Sequence, residues 1–181
     1  MSGVRKSLAR VEVALKWDPS APGSPANDLD IIAAVYAEGD VRGTPEYVVY
    51  FDHRAPDGTI TLNRDSRTGQ GFGFDEVMTL ELDRMSERLR RVVVGVVVQS
   101  DDGTRTFGDI GGMALRIREG YTDLVAEGPV AGVAGVAAAT VAVFTRDAAG
   151  AWSLDPAVHG VDAGPEEYLR IMGDTPAAGP S

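Results

Sequence analysis

The residues best suited to chemistry lie in one stretch, Asp65-Ser66-Arg67-Thr68-Gly69-Gln70-Gly71-Phe72-Gly73-Phe74-Asp75-Glu76. One carboxylate opens it and two close it. Gly69, Gly71 and Gly73 occupy alternate positions between them. Glycine tolerates positive φ, so such a loop folds tightly and can turn carbonyl oxygens inward. Inward carbonyls with carboxylates at both ends suit a hard cation such as Ca2+, which takes about six to eight oxygen ligands. The competing reading is a solvated hairpin loop, where Gly and Asp are common for turn geometry alone.

Other site chemistries fit poorly. Asp65 and Glu76 are spaced like the ends of an EF-hand loop. However, Arg67 and Gly69 stand where oxygen ligands belong, Gln70 stands where the invariant glycine belongs, and the flanks read as strands. A phosphate-cradling loop would end in Gly-Lys-Ser/Thr, which is absent. The chain has no cysteine, which removes disulfides, zinc–thiolate sites and thiol nucleophiles. Its two histidines, His53 and His159, are far apart in sequence. No nucleophile elbow is present, and a catalytic role for the Asp65/Glu76 pair is the weakest reading.

The elements that must position the loop follow from patterning. The chain has 181 residues, enough for one domain with a full core, and 44% of them are apolar. Residues 11–17 alternate with period two and read as a strand. Residues 18–27, with three prolines, read as a mobile loop. Residues 30–36 and 47–51 read as strands, and Pro56-Asp57-Gly58 turns the chain into a short strand over 59–62. Beyond the glycine loop, 77–82 reads as a strand and 84–90 as one or two helical turns. The valine-rich 92–99 reads as a strand covered on both faces. Residues 114–118, 137–144 and 152–154 complete the strands, with a turn over 147–150 and a terminal helix over 166–172. The segment 128–139 reads equally as strand or loop.

About ten short strands at this spacing predict an all-β, antiparallel two-sheet sandwich with a short C-terminal helix. The predicted organisation is a short segment over 1–10, the sandwich over 11–172, and a fraying tail over 173–181.

The formal charge is −10, from 27 acids and 17 bases. That excludes a general nucleic-acid binder, whose affinity comes from cations neutralising phosphates. The apolar runs 92–98 and 130–144 are too short or too broken by glycine to span a bilayer, and no signal peptide is evident. A cytoplasmic location is expected, with docking to the inner face of the membrane as an extension.

Several of these residues together carry a family resemblance. They are Trp17-Asp18, Asp28-Leu29-Asp30, residues 48–52 with Pro56-Asp57-Gly58, the glycine loop, Phe107-Gly108 and Trp152. From about residue 11 to 172 the chain resembles the TerD family of bacterial tellurium-resistance and stress proteins. The resemblance implies a Ca2+-binding β-sandwich with acidic loops gathered at one end, linked to tellurite, phage, colicin and general chemical stress. It supplies no catalytic residues.

Carried over by position, Asp65, Arg67, Thr68, Gly69, Gly71, Gly73, Asp75 and Glu76 match the family loop. Ser66 replaces its usual Asn, and Phe74 replaces the first acid of its closing group. Asp28 and Asp30 match the upstream pair, and Asp52 stands where Asn is usual. The implied ligand set is therefore Asp28, Asp30, Asp52, Asp65, Ser66, Thr68, Asp75 and Glu76, holding one or two Ca2+ ions; Phe74 weakens the case for the second. Arg67 is the local alternative to a metal.

The second reading is a metal-independent interaction domain that binds a protein partner in a stress complex, or a membrane surface, at its loop end. Phe72 and Phe74 would then be exposed anchors; on the first reading they cap the core. Trp17 and Trp152 are expected to pack at sheet ends. Asp101 and Asp102 are turn residues or members of the acidic end, and His53 is a donor to Asp52 or merely solvated.

Overall fold

The computed structural model describes residues 7–51, 53–64, 73–100, 102–156 and 158–174. Its strands are β1 (Arg10–Lys16), β2 (Asp28–Ala37), β3 (Tyr47–Val49), β4 (Ile60–Arg64), β5 (Glu76–Glu81), β6 (Leu89–Gln99), β7 (Ala114–Glu119), β8 (Thr122–Gly128), β9 (Ala138–Arg146), β10 (Trp152–Asp155) and β11 (His159–Val161). One helix, α1 (Pro165–Ile171), follows them.

The strands form two antiparallel sheets. The first has the order β4-β5-β1-β7-β8 and the second β10-β9-β6-β2-β3, with β11 also paired to β9. The expected sandwich is present. Val11, Val13, Leu15 and Trp17 of the first sheet face inward, as do Leu29, Ile31, Ala33 and Val35 of the second. Glu12 and Lys16 point to the opposite, solvent side, the period-two outcome of an antiparallel sheet with one wet face.

The valine strand is buried on both faces, as its composition predicts. Val92, Val94, Val96 and Val98 join the core between the sheets, while Val93 and Val97 lie under α1 and its continuation. Gly95 interrupts the run for a packing reason. A Cβ there would overlap the Tyr168 hydroxyl and ring. That hydroxyl hydrogen-bonds Thr140 Oγ1 at 2.6 Å, so α1 is docked by one buried polar contact set into an apolar face. Burial pushes the Tyr168 hydroxyl well above its ordinary pKa, more than the Thr140 bond lowers it.

Several boundaries differ from expectation. Residues 84–90 are not helical turns: a single 3-10 turn covers Leu82–Arg84 and β6 already begins at Leu89. Leu89 is buried, and pairing with β2 extends the strand over its arginines. Strand β8 is half-exposed along its length and lacks a clean alternation. The ambiguous segment 128–139 is the end of β8, irregular chain and the start of β9.

The loop over 18–27 is held at its two ends. Arg105 Nη1 donates to Pro25 O, Ala26 O and Asn27 Oδ1, and Asn27 Nδ2 donates to Asp18 O. At the far end, a 3-10 turn covers Met172–Asp174, and the carbonyl of the buried Gly173 accepts from Arg91 Nη1 at 2.8 Å.

Gly95→Ala is expected to lower stability by about 1–3 kcal/mol, the usual cost of overpacking. For a chain of this size that is a fall in Tm of about 2–12 °C. Adding Tyr168→Leu removes the clash, so the double variant should lose less than the sum of the single ones. Strict additivity in thermal unfolding would show that Gly95 is not kept for Tyr168.

Candidate metal centre

Four of the carboxylates singled out in the sequence are described, and the strands bring them to one end of the sandwich. Asp28 opens β2, opposite Gln99 at the end of β6, and Asp30 follows two residues on, on the same face. Asp75 and Glu76 open β5 opposite Leu15 near the end of β1. Hydrogen bonds then tie the two strand pairs together.

Asp75 extends the β1–β5 ladder beyond its last paired residues. Its N–H donates to Leu15 O at 2.9 Å, and its Oδ2 accepts from Trp17 N–H at 3.0 Å. Trp17 in turn donates its indole N–H to Asn27 O at 3.1 Å, next to Asp28. Glu76 crosses between the sheets: its Oε1 accepts the Ile31 N–H at 2.7 Å. Asp30 Oδ2 accepts from Gln99 Nε2 at 2.9 Å. Asp30 and Asp75 are 3% exposed and Glu76 is 0% exposed, so three carboxylates are nearly sealed from water at this end. Asp28 is half-buried.

Asp52, Asp65, Ser66 and Thr68 lie outside the described residues, as do Arg67, Phe72 and Asp101. Among the described residues, no group of three His, Asp or Glu side chains is arranged to hold a metal ion. The described carboxylates do not by themselves form a metal-holding group.

Phe74 has neither of the roles expected for it. Its ring is half-buried, with the Arg116 guanidinium 4.3 Å and the Lys16 ammonium 5.7 Å from its centroid. Both cations belong to the solvent side of the first sheet, where Lys16 also pairs with Glu127 at 2.8 Å. The ring thus lies against two built-in cations. Asp102 serves its own turn, accepting the Thr104 hydroxyl and N–H, which hold its carboxyl below the usual range. His53 stacks on Tyr50 with centroids 4.0 Å apart and meets its hydroxyl at 3.0 Å. Trp17 and Trp152 are both buried core residues at strand ends, as expected.

Sequence reasoning passed over Gln99, Asn27 and Arg105. Gln99 was legible only as the first polar residue after seven apolar ones. Its role depends on the β2–β6 register, which no local pattern encodes.

The TerD domain model matches residues 1–168. The tellurium resistance protein TerD of Serratia marcescens is 30% identical over 119 residues, 65% of this chain and 62% of that protein. A TerD protein from an Alcaligenes species matches to the same extent. The chain thus spans less than two thirds of these relatives' length. Among solved structures, a homologue of telluride resistance protein (TerD) from Streptomyces coelicolor A3(2) superposes with a TM-score of 0.89 at 51% identity, covering 93% of this chain and 99% of that one. A protein of unknown function superposes equally well at 56% identity, covering 93% and 98%.

If Asp75 is a ladder acceptor, Asp75→Ala leaves the buried Trp17 N–H unpaired, at a cost of about 1–3 kcal/mol. Asp75→Asn keeps an oxygen acceptor and should cost far less. Thermal unfolding in chelator should separate the two by several degrees; equal losses would contradict the ladder role.

Proposed function

Because this chain belongs to the TerD domain family, we propose that it is a non-enzymatic, Ca2+-binding stress-response domain of the bacterial cytoplasm. The observation that supports this most is the gathering of Asp28, Asp30, Asp75 and Glu76 at one end of the sandwich, three of them nearly inaccessible to water. Two carboxylates about 4 Å apart near a protein surface repel by about 4 kcal/mol. Hydrogen bonds from Trp17, Ile31 and Gln99 offset part of such a cost. A shared hard cation offsets more, and carboxylate oxygens are the ligands Ca2+ prefers. In this reading Asp52, Asp65, Ser66 and Thr68, with carbonyls of the glycine loop, complete the coordination.

The proposal is for one ion rather than two. At Phe74, Lys16 and Arg116 already supply positive charge on the outer side of the sheet. The tellurium resistance named for the relatives extends to this chain as part of the same proposal, as does binding of a protein partner when the cation is bound. Among the described residues no helix is long and apolar enough to cross a membrane. The half-buried Phe74 lends no support to Ca2+-dependent membrane docking.

A second reading is a metal-independent interaction domain, in which the hydrogen bonds from Trp17, Ile31 and Gln99 alone hold the buried carboxylates. Melting curves separate the two. A cation held only by the folded state adds about 2.7 kcal/mol at a hundredfold excess over its Kd, or a rise in Tm of about 5–10 °C. Ca2+ should produce that rise over chelator and Mg2+ a smaller one. Phe74→Asp should show the same Ca2+-dependent rise, because its carboxylate would lie between Lys16 and Arg116. Identical curves in Ca2+ and chelator would favour the second reading.

A further inference from the structure

Strands β3 and β4 are edge strands of different sheets and are not paired to each other. Strand β3 has only three residues, and beyond it the chain makes a tight reversal. Tyr50 N–H donates to His53 O at 3.1 Å and His53 N–H donates to Tyr50 O at 2.9 Å, which puts Phe51 at the tip. A cavity of about 750 Å3 opens here, with Val49, Ile60 and Leu62 on its apolar side. That is within the usual size for small-molecule sites, about 300–1,000 Å3.

The rim of this cavity is aromatic and basic. Phe51 is 43% exposed; the other described phenylalanines are half-buried or buried. Its ring meets Tyr50 edge-on at 5.8 Å, and Tyr50 is itself stacked on His53. The aromatic group is therefore braced before anything binds. Arg54, exposed beside it, makes no hydrogen bond or ion pair among the described residues. Asp57 also lines the cavity, but its carboxylate is engaged by the Thr59 N–H and hydroxyl and by the Tyr47 hydroxyl at 2.8–3.0 Å. An exposed aromatic face beside an uncommitted guanidinium suits a ligand with a flat ring and a negative charge: the ring stacks and the guanidinium takes up the anion in a forked hydrogen bond.

We propose that the cavity at the β3/β4 edge binds a small aromatic anion of the nucleoside-monophosphate class, its ring against Phe51 and its anionic group on Arg54. Asp52, which the metal reading assigns to the acidic end, is the chain neighbour of Phe51, but the two contacts proposed here, to Phe51 and Arg54, need no cation. In a chain of net charge −10, such an anion needs a local cation, and Arg54 supplies it.

The test titrates the full chain, in chelator, with adenosine monophosphate, adenosine, ribose 5-phosphate and inorganic phosphate, following backbone amide shifts by NMR. The monophosphate should bind saturably and shift the resonances of residues 49–62. Adenosine and ribose 5-phosphate should each bind about tenfold more weakly or worse. Arg54→Ala should reduce affinity for the monophosphate about tenfold, equivalent to about 1.4 kcal/mol, and leave adenosine unchanged, with Arg54→Lys restoring part of the loss. Phe51→Ala should weaken the monophosphate and adenosine alike. Arg54 is exposed, so Arg54→Ala should keep the wild-type melting temperature, while Phe51→Ala, which loses the contact with Tyr50, should lower it by no more than a few degrees. Absence of saturable binding overturns the proposal. So does adenosine or phosphate binding as well as the monophosphate, or an Arg54→Ala variant with wild-type affinity.

Discussion

The hydrogen bond from the Ile31 N–H to the Glu76 carboxylate is the contact on which the acidic end depends. It runs from β2 in one sheet to β5 in the other, through a side chain with no exposure to water. A carboxylate sealed in this way is costly unless donors surround it. Its presence therefore fixes the local order: β2 must present a free N–H just beyond its pairing with β3, and β5 must begin at Glu76. Asp75 and Trp17 do the equivalent within the first sheet, and Gln99 holds Asp30 in the second. The loop over 18–27, held by Arg105, packs Asn27 against the Trp17 indole.

The opposite constraint acts on the outer face of the second sheet. There an apolar surface of Val93, Val97 and Ala34 is covered by α1 and the 3-10 turn after it. Gly95 leaves room for Tyr168, and Arg91 ties the C-terminal end through the carbonyls of Val41 and Gly173. Burial lowers the Arg91 guanidinium from its ordinary value and raises the Tyr36 hydroxyl beside it to about 12. The first sheet keeps its outer face wet, which is why Glu12, Lys16, Arg116 and Arg118 appear there as ion pairs.

Much of this was legible in the sequence, and the exceptions have physical causes. Alternation in 11–17 and the valine run announced β1 and β6, because burial on one or both faces imposes those patterns. Strand β8 was silent, since a half-exposed edge strand needs no alternation, and β11 is too short to show one. The helical turns expected over 84–90 gave way to pairing with β2, a tertiary effect that outweighs local propensity. At the acidic end the carboxylates could be picked out by type, but their partners could not. Trp17 and Ile31 act through backbone N–H groups, which have no sequence identity. Phe74 was misplaced because its neighbours Lys16 and Arg116 come from strands far apart in the chain.

Calorimetric titration of Ca2+ into the chelator-washed protein, alongside Glu76→Gln, tests the account most directly. The amide retains an oxygen to accept the Ile31 N–H, so the variant should keep the wild-type fold and melt in chelator at nearly the same temperature. The account predicts saturable binding of one ion by the wild-type chain and a loss of affinity of tenfold or more in the variant. No binding by the wild-type chain, or equal affinity in both, would contradict it.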